Sequence, residues 1–402
     1  MMLSSVRTIT RNALLPNRSK ITSLHTPLMQ MRYLQRVKFP SSTSTMNFQK
    51  TFVDAPRAFS TVAAAAQPDH DEELDEAPPL PAIQGRSNRA SYFLPFHNRK
   101  PERENRYELG REIGSGHFAT VHEALDKQTG ETVAIKIMNK STCPRQLCQQ
   151  ELKILQEIEG EVGHSRMTPI RDVFETEENL CIVLELVRGG DFYDHVAEHG
   201  QMNEHDAAVF IRKLIYALEA LHRHGIIHRD IKLENILLED KQDKDNGFNS
   251  FKIADFGYAK HVNEEDVFRN PAGTLGYVAP EVLEKRQYGP ACDVWSAGII
   301  LYTLLAGHPP FPHKDGVDMS KISLEDALSA ELEAINYGRK SDTWKEHLKH
   351  EPWNKISNDA KRLLSRMLRI DPSRRATTEE ILQDPWIQNA THQYQSEYLN
   401  FE

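Results

Sequence analysis

HRDIKLEN, residues 228–235, gathers an aspartate, a lysine and an asparagine directly after a segment patterned as a helix. That segment, EHDAAVFIRKLIYALEALHRHG (204–225), is amphipathic, and Asn203 with Asp206 suits its N-terminal cap. Downstream come IADFGYAK (253–260), GTLGYVAPE (273–281) and DVWSAG (293–298). Upstream, YELGREIGSGHFATVHEAL (107–125) alternates apolar and polar residues on both sides of Gly114 and Gly116, the period of strand, turn and strand. On its own residues this stretch is either a plain hairpin or a hairpin lid over phosphates. A dinucleotide-binding unit fails, because its glycines would lead into a helix and here they lead into the strand-like FATVHEAL.

ETVAIKIM (131–138) is an apolar strand that carries Lys136. Burying that ammonium unpaired is costly, so it needs an anion or a carboxylate. Glu151, in the helix-like RQLCQQELKILQEI (145–158), offers one. Taken without the rest of the chain, a surface lysine is the alternative.

In this order the motifs resemble the protein-kinase signature set, over roughly residues 107–388. The resemblance implies an α+β, bilobal kinase fold: a small antiparallel β-rich lobe with one main helix (107–187) and a larger, mainly helical lobe (188–388). It implies ATP and Mg2+ as cofactors and phosphoryl transfer to Ser/Thr hydroxyls of proteins, chemistry that needs positioning and charge neutralisation. Asp230 would orient the acceptor hydroxyl and take its proton, Lys232 would steady the transferring phosphoryl group, and Asn235 and Asp255 would hold magnesium. Lys136, paired with Glu151, would aim at the nucleotide phosphates. The ATP site would run through Ile113, Gly114, Ser115, Gly116, His117, Phe118, Ala119, Thr120 and Val121. Adenine would lie between Val121 and Ala134 above and Leu237 below, against a hinge of Glu185, Leu186 and Val187 with Leu184 as gatekeeper. Ala119 stands where the family has a third glycine.

Lys232, two residues beyond Asp230, marks a serine/threonine kinase in this resemblance. LELVRGGDFYDHVAEHG (184–200) and AKRLLSRMLRIDPSRRATTEEILQDPWI (360–387) look most like the calcium/calmodulin-dependent kinase group. There, Arg375 pairs with Glu281 to brace the lower lobe. Asp191 and Glu234 are placed to receive an arginine about three residues upstream of the acceptor; Thr303 stands where some relatives carry a glutamate, which favours one arginine over two. Thr274 joins the substrate-binding set, bonding near the catalytic aspartate and lysine. Leu275 replaces a proline usual in relatives. The competing class is a catalytically silent nucleotide-binding scaffold; such chains usually lack a catalytic residue type, and here all are present.

The loop VNEEDVFRNPAG (262–273) contains no serine, threonine or tyrosine. Arg229, which in relatives binds an activating phosphate there, wants an anion. Glu264, Glu265 and Asp266 are expected to serve as permanent stand-ins.

The chain has 402 residues, 39% hydrophobic and 27% charged, enough for a sizeable core in two or three units. No apolar run approaches the ~18 residues of a membrane span; GIILYTLLAG (298–307) reads as a buried helix. The four cysteines show no CxxC spacing and read as reduced structural thiols. Residues 1–60 carry nine Lys/Arg and one acid, Asp54, a net +8 that leaves −17 of the total −9 for the rest. An acidic body argues against nucleic acid as main partner and favours basic peptides.

Residues 1–66 resemble a mitochondrial transit peptide, Arg- and Ser-rich and poor in acids, with RAFS (57–60) resembling a processing site. A disordered basic tail on a cytoplasmic protein is the alternative. The acidic, proline-rich 67–106 is a solvated linker. The tail (389–402) lacks a basic amphipathic pattern, so no calmodulin control is expected through it. EDKQDKDNGFNS (239–250) lengthens a hairpin; with Gly247 in the calcium-loop position, ligands would fall on Gln242, Lys244 and Asn246, which excludes that site. In the insertion 313–340, Ser323 and Asp326 form a capping-box pattern, Leu324, Leu328, Leu332 and Ile335 line one helical face, and Gly338 ends it. This is either a longer lobe helix or a docking surface.

Overall fold

The computed structural model describes residues 105–116, 118–162, 165–239, 250–262, 271–311, 324–338 and 348–390. The expectations for the leader, the linker, His117, the hairpin tip, the acidic loop residues Glu264, Glu265 and Asp266, the Ser323 cap and the tail lie outside the described residues.

Five antiparallel strands build the upper layer in the order β1-β2-β3-β5-β4. They are β1 (Tyr107–Ser115), β2 (Ala119–Asp126), β3 (Thr132–Asn139), β4 (Ile170–Glu175) and β5 (Asn179–Glu185). Alternation along β3 divides its side chains. Val133, Ile135 and Ile137 join a small cluster with Tyr107, Phe174 and Val183 on one face. Lys136 and Met138 lie on the other, toward helix α1 (Arg145–Glu157). The alternation read in residues 107–115 does not become burial. β1 is an edge strand with register shifts, exposed along most of its length, and Leu109 is 54% exposed. An edge strand whose faces are not covered has no core for its apolar residues to reach.

The lower layer starts with α2 (Phe192–His199) and α3 (Glu204–Arg223), the latter capped by Asn203, whose side chain accepts from the Asp206 amide as expected. Short strand pairs follow: β6 (Ile226–Ile227) with β9 (Lys260–His261), and β7 (Ile236–Leu238) with β8 (Phe251–Ile253). These strand pairs flank the loops at 228–235 and 254–259. Then come α4 (Pro280–Leu283), α5 (Ala291–Ala306), α6 (Leu324–Gly338), α7 (Asn358–Met367) and α8 (Thr378–Leu382).

α5 is buried from Cys292 to Ala306 and forms the centre of the lobe, so GIILYTLLAG is a core helix. Among the described residues no helix is long and apolar enough to cross a membrane. Glu281 and Arg375 are fully buried, and the Arg375 guanidinium makes a two-pronged bond to that carboxylate at 2.6 and 2.8 Å. The remaining donors of Arg375 meet the carbonyls of Ala291, Arg369 and Ile370, which satisfies a charge that would otherwise be costly to bury. All four cysteines are free and buried. The antiparallel sheet above a helical lobe is the bilobal α+β arrangement expected.

Candidate active site

Between the layers, Lys136 reaches across from β3. Its Nζ lies 2.6 Å from Glu151 Oε1 on α1 and 2.9 Å from Asp255 Oδ1 on the loop after β8. Burial alone would favour loss of its proton, but the Asp255 and Glu151 carboxylates outweigh that and hold its pKa above the usual lysine range. Asp255 is correspondingly held ionised, chiefly by the Lys136 charge, whereas burial pushes Glu151 upward. Asp255 adopts φ 57°, a backbone state that costs energy for a residue with a side chain and aims its carboxylate into the cleft. Gly257 makes room for the three groups, since a Cβ there would come 3.2 Å from Asp255 Oδ1 and 3.4 Å from Lys136 Nζ.

Below, the Asp230 carboxylate is held on both sides. Thr274 Oγ1 donates to Asp230 Oδ1 at 2.6 Å, and Lys232 Nζ sits 2.9 Å from Asp230 Oδ2 and 2.8 Å from Thr274 Oγ1. Asn235 Nδ2 donates to the Asp230 carbonyl at 2.8 Å. That commits the amide nitrogen, so its oxygen is the atom left for a cation. Thr274 is buried and bonded to both Asp230 and Lys232, so it helps to fix the Asp230 carboxylate.

The β1–β2 hairpin lies at the sheet edge beside β3, the strand that carries Lys136. Gly116 N donates to the Ala119 carbonyl at 2.8 Å, and pairing of Gly114 with Val121 and of Ser115 with Thr120 places the turn at the expected glycines. Register sets Val121 opposite Lys136 and Ala134 opposite Leu184. Ile113 lies on β1, two residues before its end, and Leu237 lies on β7.

The protein kinase domain family matches residues 107–387. The chain belongs to that family. It is similar to the human serine/threonine-protein kinase DCLK3, 38% identical over 293 residues that cover 71% of this chain and 41% of the relative. A probable myosin light chain kinase of Dictyostelium discoideum is 36% identical over 70% of this chain and 81% of its own length. Calcium-dependent protein kinase 14 of Arabidopsis thaliana is 33% identical over 72% of this chain and 50% of its own. The chain therefore spans less than two thirds of the human and Arabidopsis relatives.

Within the kinase domain, the set named by resemblance for catalysis and metal binding is brought together: Lys136, Glu151, Asp230, Lys232, Asn235 and Asp255. The two residues expected to receive an upstream arginine fare differently. Asp191 caps α2, accepting from the Asp194 amide at 2.8 Å, and so has a structural task as well. Glu234 is half-buried as a residue, yet both carboxylate oxygens are shielded from solvent and have no hydrogen-bond partner among the described residues. Burial pushes its pKa up to about 8. Thr303 is buried and bonds the Ile299 carbonyl inside α5, so no acid is offered there.

Arg229 sits at φ 69°, with Nε donating to the Tyr258 carbonyl at 2.5 Å and Nη1 to the Tyr288 hydroxyl at 3.0 Å. Tyr288 as a partner had no local signal in the sequence. Asp293 had none either. Its carboxylate, in the first turn of α5, accepts from the amides of His228 (3.0 Å) and Arg229 (2.9 Å) and lies 2.9 Å from His222. It thereby anchors the catalytic loop to the core helix. Burial raises its pKa, but these hydrogen bonds and the histidine charges prevail and keep it ionised. The hinge carries a third unforeseen contact set. Glu185 meets Arg171 of β4 at 3.1 Å and Lys252 of β8 at 3.2 Å, linking the two lobes by one carboxylate.

Proposed function

We propose that the chain is an ATP- and magnesium-dependent protein serine/threonine kinase. The observation that carries this reading is the complete joining of the two lobes' charges: Lys136 bonds both Glu151 and Asp255, while Asp230 is oriented by Lys232 and Thr274. Among the described residues no group of three or more His, Cys, Asp or Glu side chains is placed to hold a metal ion by itself. Asn235 and Asp255 nonetheless fit magnesium, which is commonly held by one or two protein oxygens and completed by phosphates and water. Magnesium, when bound, would neutralise charge on the phosphate oxygens.

The remaining work falls to the chain. Lys136, kept protonated by two carboxylates, offers its remaining hydrogen to the phosphates. Asp230 accepts the acceptor hydroxyl's proton as the new O–P bond forms and the bond to ADP breaks. Lys232, buried and held between Asp230 and Thr274, supplies positive charge next to the transferred group. The unpartnered carboxylate of Glu234, with Asp191 nearby, supports recognition of one arginine about three residues before the acceptor.

Incorporation of radiolabelled phosphate into a generic basic protein tests the reading. Wild type should label it, while Lys136→Ala and Asp230→Ala fall by about a hundredfold or more. Equal incorporation by all three, or none by the wild type, refutes it; the silent-scaffold reading predicts nucleotide binding with no incorporation.

A further inference from the structure

α6, the helix within the insertion, does not stand apart from the active site. Its C-terminal half is fastened to the lobe. Ile335 is fully buried, Leu332 packs against the core, and Gly338 lies so close to Phe311 that a Cβ would come 2.8 Å from the ring. Glu331 precedes Ile335 by four residues and so shares its inward face. It is 1% exposed, a carboxylate pressed into the protein, and its Oε1 accepts the Gly276 amide at 3.1 Å.

Gly276 has φ 92°, a conformation that side chains rarely adopt, and it lies two residues beyond Thr274. The segment 274–277 is thus held at three points. Thr274 is bound to Asp230 and Lys232, Gly276 to Glu331, and the Tyr277 carbonyl accepts from Ser296 Oγ at 2.8 Å. Two anchors belong to the catalytic loop and the core helix; the third comes from α6. Leu275 sits between the first two anchors, half-buried with Tyr277 against the core. Leucine lacks the ring that would fix φ at this point, so the local path must be set by what holds its neighbours.

We propose that Glu331 is a positioning residue that shapes the pocket for the side chain directly following the phosphorylated hydroxyl. This inference rests on the kinase reading above. Thr274 fixes the segment against Asp230, where the acceptor hydroxyl must sit. A substrate chain leaving that hydroxyl passes Leu275 and Gly276, whose apolar surface suits an apolar residue. Releasing the Gly276 amide lets Leu275 move and weakens discrimination there, with the nucleotide site across the cleft unaffected.

The test compares wild type, Glu331→Ala and Glu331→Gln in the full chain. Two peptides are used that differ only in leucine or glycine after the acceptor, with ATP KM measured in parallel. Glu331→Ala should reduce the leucine preference in kcat/KM by about tenfold, the scale of one hydrogen bond to a charged group. ATP KM should stay within about twofold. Glu331→Gln retains an acceptor oxygen and should keep most of the preference. Hydrogen exchange at the Gly276 amide should speed up in Glu331→Ala and not in Glu331→Gln, a readout that does not require catalysis. An unchanged preference or unchanged exchange in Glu331→Ala overturns the inference, as does equal loss in both variants. A wild type that labels no peptide counts against the proposed function, and the exchange measurement still decides the tether.

Discussion

The Glu234 carboxylate should make arginine selectivity depend on pH. Its two oxygens are shielded and unpartnered among the described residues, and burial raises its pKa to about 8. Near neutrality the folded protein therefore holds Glu234 mostly protonated, and a guanidinium binds the ionised form. Binding of an arginine peptide releases a proton below pH 8, so affinity rises with pH and levels off above it. The ionised fraction grows from roughly one tenth at pH 7 to one half at pH 8, about a fivefold gain, and by roughly tenfold from pH 6 to pH 7. The assay is kcat/KM for a peptide with arginine three residues before the acceptor, divided by that for its alanine counterpart, from pH 6.5 to 8.5. The ratio cancels titration of the catalytic groups. Glu234→Gln should give a low ratio with no slope. A flat wild-type ratio, or an unchanged slope in Glu234→Gln, refutes the reasoning. Stability runs the opposite way. The folded state binds this proton more tightly than the unfolded chain, so the contribution is present below the ordinary glutamate pKa and is lost as pH rises toward 8.

Arg375→Ala strands Glu281 in the core. Removing one partner of a buried pair costs about 3–5 kcal/mol, which lowers Tm by roughly 6–20 °C. The double variant Arg375→Met/Glu281→Leu should recover most of that in a thermal melt, and a loss equal to the two single losses added together would show that the pair is not acting as a unit. At the hinge, Lys252 meets Glu185 at 3.2 Å and the Ser165 carbonyl at 3.4 Å. Lys252→Met should raise ATP KM about three- to tenfold with kcat at saturating ATP nearly constant. A change confined to peptide KM would remove Lys252 from the positioning of the hinge.

Much of the site was legible from the residues because phosphoryl transfer demands particular groups at short, fixed spacing. Asp230, Lys232 and Asn235 lie within one loop, and the strand–turn–strand period at Gly114 and Gly116 was readable locally, while the roles of the glycines and of Lys136 came only from the resemblance of the whole motif order. The helix cap at Asn203 and the buried α5 were also local, since capping and apolar length act within a few turns. Tertiary structure alone decided the supports. Asp293 reaches the catalytic loop from 65 residues away, Glu331 reaches Gly276 from 55, and Arg229 finds Tyr288 at a separation of 59. No periodicity encodes such pairs, because they exist only once helices have docked and buried carboxylates or hydroxyls must find donors. The same dependence explains where alternation misled. Leu109 has the pattern of a buried strand residue and is exposed, since whether a face is covered depends on which element packs against it. The order of motifs along the chain pointed to the protein kinase family; packing determined how Asp230, Gly276 and the hinge are held.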